Sequence, residues 1–211
     1  LAPAHPAWSW RTHLVARFLR AAASGAAQED PVALRRRLDR LARLTPPNFS
    51  VRRDALQLGG VDCVWTRPVH GSGDTLVHIH GGGFVTCSAR THRMMLADLA
   101  FHTGHDVLAI EYQLAPENAY PGPIDDCEHA YLALLKTGVD PSSIVLSGDS
   151  AGGNLALALV QRLRDRGVPL PKQLVLISPW VDLRNGGESV ERNAHFDYLH
   201  RGVLDRFRDL Y

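Results

Sequence analysis

Residues 143–155 read S-I-V-L-S-G-D-S-A-G-G-N-L, and this stretch decides the architecture. Ile144, Val145 and Leu146 make the short apolar run of a fully buried parallel strand, whereas 151–163 has the Ala- and Leu-rich composition of a helix. Ser150 therefore stands on the turn between them. Gly148 and Gly152, two positions to either side, let the strand and helix backbones approach so closely that the serine is pushed out on a sharp elbow, its hydroxyl exposed above the sheet. A serine that merely caps the helix would account for Ser150 but not for both glycines. By itself G-x-S-x-G also fits a turn without chemistry.

A second stretch bears on the choice. Residues 74–84, D-T-L-V-H-I-H-G-G-G-F, form a strand that ends in His80 and three glycines, whose backbone N–H groups no side chain covers. An acyl transfer needs donors where the oxyanion of the tetrahedral intermediate forms, and the N–H groups of Gly82, Gly83 and Ala151 would supply three. The alternatives are a flexible loop or a phosphate-cradling turn. The latter would want Lys or Ser/Thr after the glycines, where Phe84 and Val85 stand.

Taken together, H-G-G-G-F at 80–84, Y-Q-L-A-P-E at 112–117, G-D-S-A-G-G at 148–153 and S-P-W-V-D-L at 178–183 resemble the hormone-sensitive lipase-like family of α/β-hydrolase carboxylesterases. Motif order and spacing match from Asp30 to Tyr211. The resemblance implies a mostly parallel, doubly wound α/β sheet under an N-terminal helical cap. It also implies a cofactor-free serine esterase for short- to medium-chain acyl or aryl esters. Ser150 is then the nucleophile, Gly82, Gly83 and Ala151 the oxyanion hole, and Asp149 and Glu117 hydrogen-bond partners that hold the elbow and its neighbouring loops.

One departure from the family is large. A serine hydroxyl needs an imidazole to take its proton and a carboxylate to orient that imidazole. The family places the carboxylate after a seventh strand and the histidine after an eighth, and only 211 − 150 = 61 residues follow Ser150. The last two strands are expected to be missing, with both catalytic partners, and the chain alone to be inactive or nearly so. Asp182 followed by His195 or His200 gives the order Ser, Asp, His, but no strand between them carries the imidazole back to the elbow. The rival class is a binding protein of the same fold, as in the plant gibberellin receptors, which lack the catalytic histidine.

The remaining chain is read around this centre. Helices are expected over 8–23 and 31–44, the second with Asp30 as cap and Pro31 at its first position, and residues 1–47 resemble part of the family's cap. A hairpin through Gly59-Gly60 starts the core, which runs over 48–188 with strands near 76–79, 107–111, 144–146 and 173–177. Leu174 to Ile177 read as a central strand buried on both faces, so the edge left there is expected to promote homo-oligomerisation or another association. Residues 189–211 match the start of a second cap piece.

Composition excludes other classes. With 211 residues and 45% hydrophobic content the chain fits one domain, and 23 basic against 22 acidic residues give no field for nucleic acid or an anionic membrane. The run Arg35-Arg36-Arg37 reads as the solvated face of a helix. His78 and His80 alternate along a strand without a further ligand at a matching spacing, so they read as hydrogen-bonding residues, with no metal and no cofactor. Cys63, Cys87 and Cys127 have neither disulfide nor metal-site spacing, which fits a reducing, cytoplasmic setting. No apolar run reaches the ~20 residues of a membrane span.

Overall fold

Strands that are apolar without alternation are satisfied only between two layers. The computed structural model describes residues 8–23, 25–44, 48–71, 73–194 and 197–211. In it, β3 (Thr75–Ile79) is buried at every position and β4 (Asp106–Ile110) at all but its first. With β1 (Val51–Leu58), β2 (Val61–Pro68), β5 (Ile144–Asp149) and β6 (Gln173–Ile177) they form one sheet of order β1-β2-β4-β3-β5-β6. β2 pairs antiparallel with both β1 and β4, and every other neighbour is parallel.

Successive residues of the central strands fall into different cores, as the pleat requires. Val77, Ile79, Leu108, Ile110 and Leu146 face one side, where α4 (Gly122–Lys136) and α5 (Ser150–Asp165) cover them. Leu76, Val107 and Ala109 face the other, under α3 (Arg93–Thr103). A third cluster lies at the carboxyl ends of the strands. There Leu34 of α2 (Pro31–Arg43) and Val203 and Phe207 of α7 (Arg201–Leu210) close over Val85 and Ala115, with α1 (Trp10–Ala23) and the short α6 (Glu188–Arg192) alongside. Asp30 caps α2 by accepting from Ala33 N at 2.9 Å, as its sequence prescribes. No helix among the described residues is long and apolar enough to cross a membrane.

Two expectations need correction. β6 is not buried on both faces: Leu174 and Leu176 pack into the core with α5, whereas Val175 and Ile177 are 37% and 38% exposed. On that side of the sheet α3 packs mainly over β1, β2 and β4. Nor is the arginine run one solvated face. Arg36 is exposed, but Arg37 pairs with Glu29 at 2.8 Å and Arg35 turns inward onto the loops after β3 and β4. A 3.6-residue period places neighbouring side chains on different faces of a helix, which a run of identical residues hides.

Leu146 is wholly buried at the sheet centre. Leu146→Ala should cost about 2–5 kcal/mol in urea unfolding, whereas Val175→Ala on the open face should cost less than about 1 kcal/mol.

Candidate active site

β5 ends at Asp149 and α5 begins at Ser150, whose φ of +51° lies in the left-handed region that a side chain rarely occupies. The surrounding backbone imposes this. A Cβ on Gly148 would run into the carbonyl of Gly152, and one on Gly152 into the carbonyls of Ile79 and His80. The first turn of α5 is thus laid directly on the end of β3. From the other side Trp180 N donates to Ser150 O at 2.9 Å, and Asn154 Nδ2 donates to Trp180 O at 2.9 Å. The S-P-W segment therefore braces the elbow.

The glycine loop after β3 is a tight turn closed on Gly82 O, which accepts from Val85 N at 3.1 Å, Thr86 N at 2.9 Å and Thr86 Oγ1 at 2.9 Å. Gly82 has φ +118°, and a Cβ there would strike the Thr86 carbonyl; on Gly83 it would strike the Phe207 ring. Among the described residues the N–H groups of Gly82, Gly83 and Ala151 have no acceptor. Gly82, Gly83 and Ser150 line one cavity of about 320 Å³, walled by Leu34, Leu38, Trp180, Leu199, Val203 and Phe207.

Asp149 joins loop to elbow. Its Oδ1 accepts from Gly81 N at 2.8 Å and lies 3.2 Å from His78 Nε2 and 3.4 Å from His92 Nε2. Burial alone would raise its pKa, but the hydrogen bonds from His78 and His92 outweigh that and hold the carboxyl well below the usual range. His78 Nδ1 meets Ser147 Oγ at 2.8 Å, so both its ring nitrogens are engaged. His80 is buried beneath the loop. Its Nδ1 donates to Gly81 O at 2.7 Å, its ring stacks on Tyr112 at 4.3 Å, and Tyr112 Oη donates to His80 O at 2.8 Å. Its Nε2 is buried without a hydrogen-bond partner, and burial presses its pKa down to about 3.

The structure thus brings together Ser150, Gly82, Gly83, Ala151, Asp149 and His80. Glu117 lies apart from the cavity, where it receives Arg35 in a two-pronged bond, Nη1 to Oε1 at 3.0 Å and Nη2 to Oε2 at 2.8 Å. Arg35 also donates from Nε to Val85 O at 2.6 Å and from Nη2 to Ala115 O, so the pair fastens α2 to both loops and holds the Glu117 carboxyl below its ordinary pKa. Asp182 is half exposed, bonded to Arg184 Nε at 2.9 Å, and does not line the cavity; His195 lies outside the described residues. His200 is exposed at the start of α7. Sequence reading missed His92, which lines the cavity from the position just before α3. The only signal was a histidine immediately ahead of a helix. No group of three or more His, Cys, Asp or Glu among the described residues is arranged to hold a metal ion.

Residues 76–211 match the sequence profile of a family described as alpha/beta hydrolase fold. An esterase of Acinetobacter venetianus is 42% identical over 169 residues, which are 80% of this chain and 56% of that protein. An acetyl-hydrolase of Streptomyces hygroscopicus is 38% identical over 159 residues, 75% of this chain and 53% of that protein. The chain thus spans about half the length of these curated relatives. The crystal structure of an esterase from the bacterial hormone-sensitive lipase family superposes with a TM-score of 0.91 at 35% identity, covering 97% of this chain and 69% of that one.

The buried His80 makes stability depend on pH. An unfolded His80 takes up a proton near 6.5, whereas the folded imidazole stays neutral down to about 3. Between those values the unfolded chain binds a proton that the folded chain does not. This contribution is therefore constant above 6.5 and falls as pH drops towards 3, by about 1.4 kcal/mol per pH unit. Urea melts should show this slope beginning below 6.5, and His80→Asn should flatten it.

Proposed function

Because the chain belongs to the hormone-sensitive lipase-like family of α/β-hydrolases, we propose that it carries the nucleophile and oxyanion hole of a carboxylic ester hydrolase for short- to medium-chain acyl or aryl esters. The observation that carries this reading is Ser150, held at positive φ on the elbow, in one cavity with the uncovered glycines of the loop. Ser150 Oγ attacks the ester carbonyl carbon, and the oxygen that becomes negative accepts from the N–H groups of Gly82, Gly83 and Ala151. Collapse breaks the bond to the alcohol, which leaves with the proton that Ser150 gave up. Water then cleaves the acyl-serine, releasing the acid and restoring the hydroxyl. Each oxyanion donor in such a hole contributes about 10²–10³ in rate. Serine chemistry of this kind draws on no cofactor.

The base is not His92. Its Nε2 faces Asp149, and its Nδ1 faces Ser88 O at 3.2 Å and Thr91 Oγ1 at 3.1 Å, which leaves neither nitrogen for Ser150. We place the histidine and its carboxylate in the part of the relatives' length that this chain does not span. In this reading residues 1–47 and 189–211 cap the site, and 48–188 are the core. The three thiols, all free, suit a reducing cytoplasm. The open apolar face and unpaired edge of β6 promote association, which sedimentation at micromolar concentration should register; a stable monomer of 23.2 kDa would count against it.

The activity test uses a nitrophenyl acetate and two proteins, the 211-residue chain and the same chain extended to its relatives' length. The extended protein should turn over and lose this on Ser150→Ala. The shorter chain should keep only about 10³–10⁴-fold over water, with little dependence on Ser150. Rapid turnover by the short chain that vanishes in its Ser150→Ala variant would place the base within it and overturn the assignment.

A further inference from the structure

A second cavity, of about 400 Å³, opens where the start of β1 meets the first turn of α3 and shares no lining residue with the cavity at Ser150. Asn48, Arg53 and Arg93 give it donors, and Phe49, Val51 and Met94 an apolar side. Neither arginine has an ion-pair partner among the described residues. Arg53 Nη2 makes a single bond, to Ala89 O at 3.1 Å. Arg93 is more poorly served, since its Nε and Nη2 are buried with no hydrogen-bond partner. Arg93 is half-buried at the cavity wall, and where buried N–H groups of a guanidinium lack an acceptor an ion or water that meets them is the usual reason.

The neighbouring groups sharpen this. Arg53 is the more exposed of the two, and partial burial, then the charge of Arg93, lowers its proton affinity, with Arg90 adding to the effect and Glu111 opposing it. Asn48 Oδ1 is occupied by Ser50 N at 2.9 Å, so what this side chain has left to offer is its N–H₂. Phe49 is 89% exposed and Met94 52%, both beside these donors. Planar oxyanions match guanidinium forks, and an apolar border beside them suits a ligand with a hydrocarbon part.

We propose that this cavity binds a small carboxylate with a short apolar tail, its oxygens on Arg53, Arg93 and the Asn48 amide and its tail over Phe49 and Met94. Acids of this class are what hydrolysis at Ser150 would release, but the binding is independent of that reading.

The test is calorimetric titration of the 211-residue chain with butanoate and, separately, inorganic phosphate, with hydrogen exchange read by mass spectrometry on the butanoate-saturated protein. Butanoate should bind saturably, protect residues 48–53 and 90–97, and bind about tenfold or more weakly to Arg93→Met and to Arg53→Met. Should these variants fail to fold, protection in the unaltered chain decides alone. No saturable binding, protection confined to the loops around Ser150, or tighter binding of phosphate than of butanoate would each overturn the proposal.

Discussion

Gly152 rests against the carbonyls of Ile79 and His80, and everything at the site depends on that contact. It joins the strand that leads into the glycine loop to the helix that carries the serine, two segments far apart in the chain that meet because β3 and β5 are neighbours in the parallel sheet. A methyl group at this position would separate them, and with them the nucleophile from the backbone donors. The left-handed Ser150 is affordable because the sheet on one side and Trp180 on the other determine its backbone more strongly than its own torsional preference does.

Polar fasteners then fix what the backbone has brought together. Under the cavity, Asp149 gathers the Gly81 amide and two imidazoles on a single oxygen, so its charge is retained despite burial. Beyond the cavity wall, Arg35 holds Glu117, Val85 and Ala115 at once. The first acts between loop and elbow and the second between helix and loops. Neither needs an apolar core, which suits the carboxyl ends of the strands, where the layers no longer enclose the chain.

The elbow and the glycine loop were legible in the sequence because backbone approach of this kind admits glycine alone, and glycines at set offsets from Ser150 and His80 record it. The same holds for the sheet, since β3, β4 and β5 lack the alternation of half-exposed strands. Long-range partners were less legible. Nothing local separates Arg35, which reaches loops fifty and eighty residues away, from the exposed Arg36 beside it. His92 had no period to mark it, because it meets Asp149 only through the fold. Val175 and Ile177 are as apolar as a buried strand, and their exposure is set by the layer above them, not by their own composition.

Phe207 lies over Gly83, and the next turn of the same helix ends at Tyr211, whose ring stacks on Phe84 at 3.8 Å and whose carbonyl accepts from Tyr120 N at 2.9 Å. The helix that roofs the cavity is therefore also the outer support of the loop that supplies its amides. A displacement of that roof to admit a bulky molecule is transmitted through Phe207 and Tyr211 to Gly83 and Phe84. Access and anion recognition are thus mechanically linked, and a change that widens the entrance by loosening this helix also blurs the aim of the donors inside.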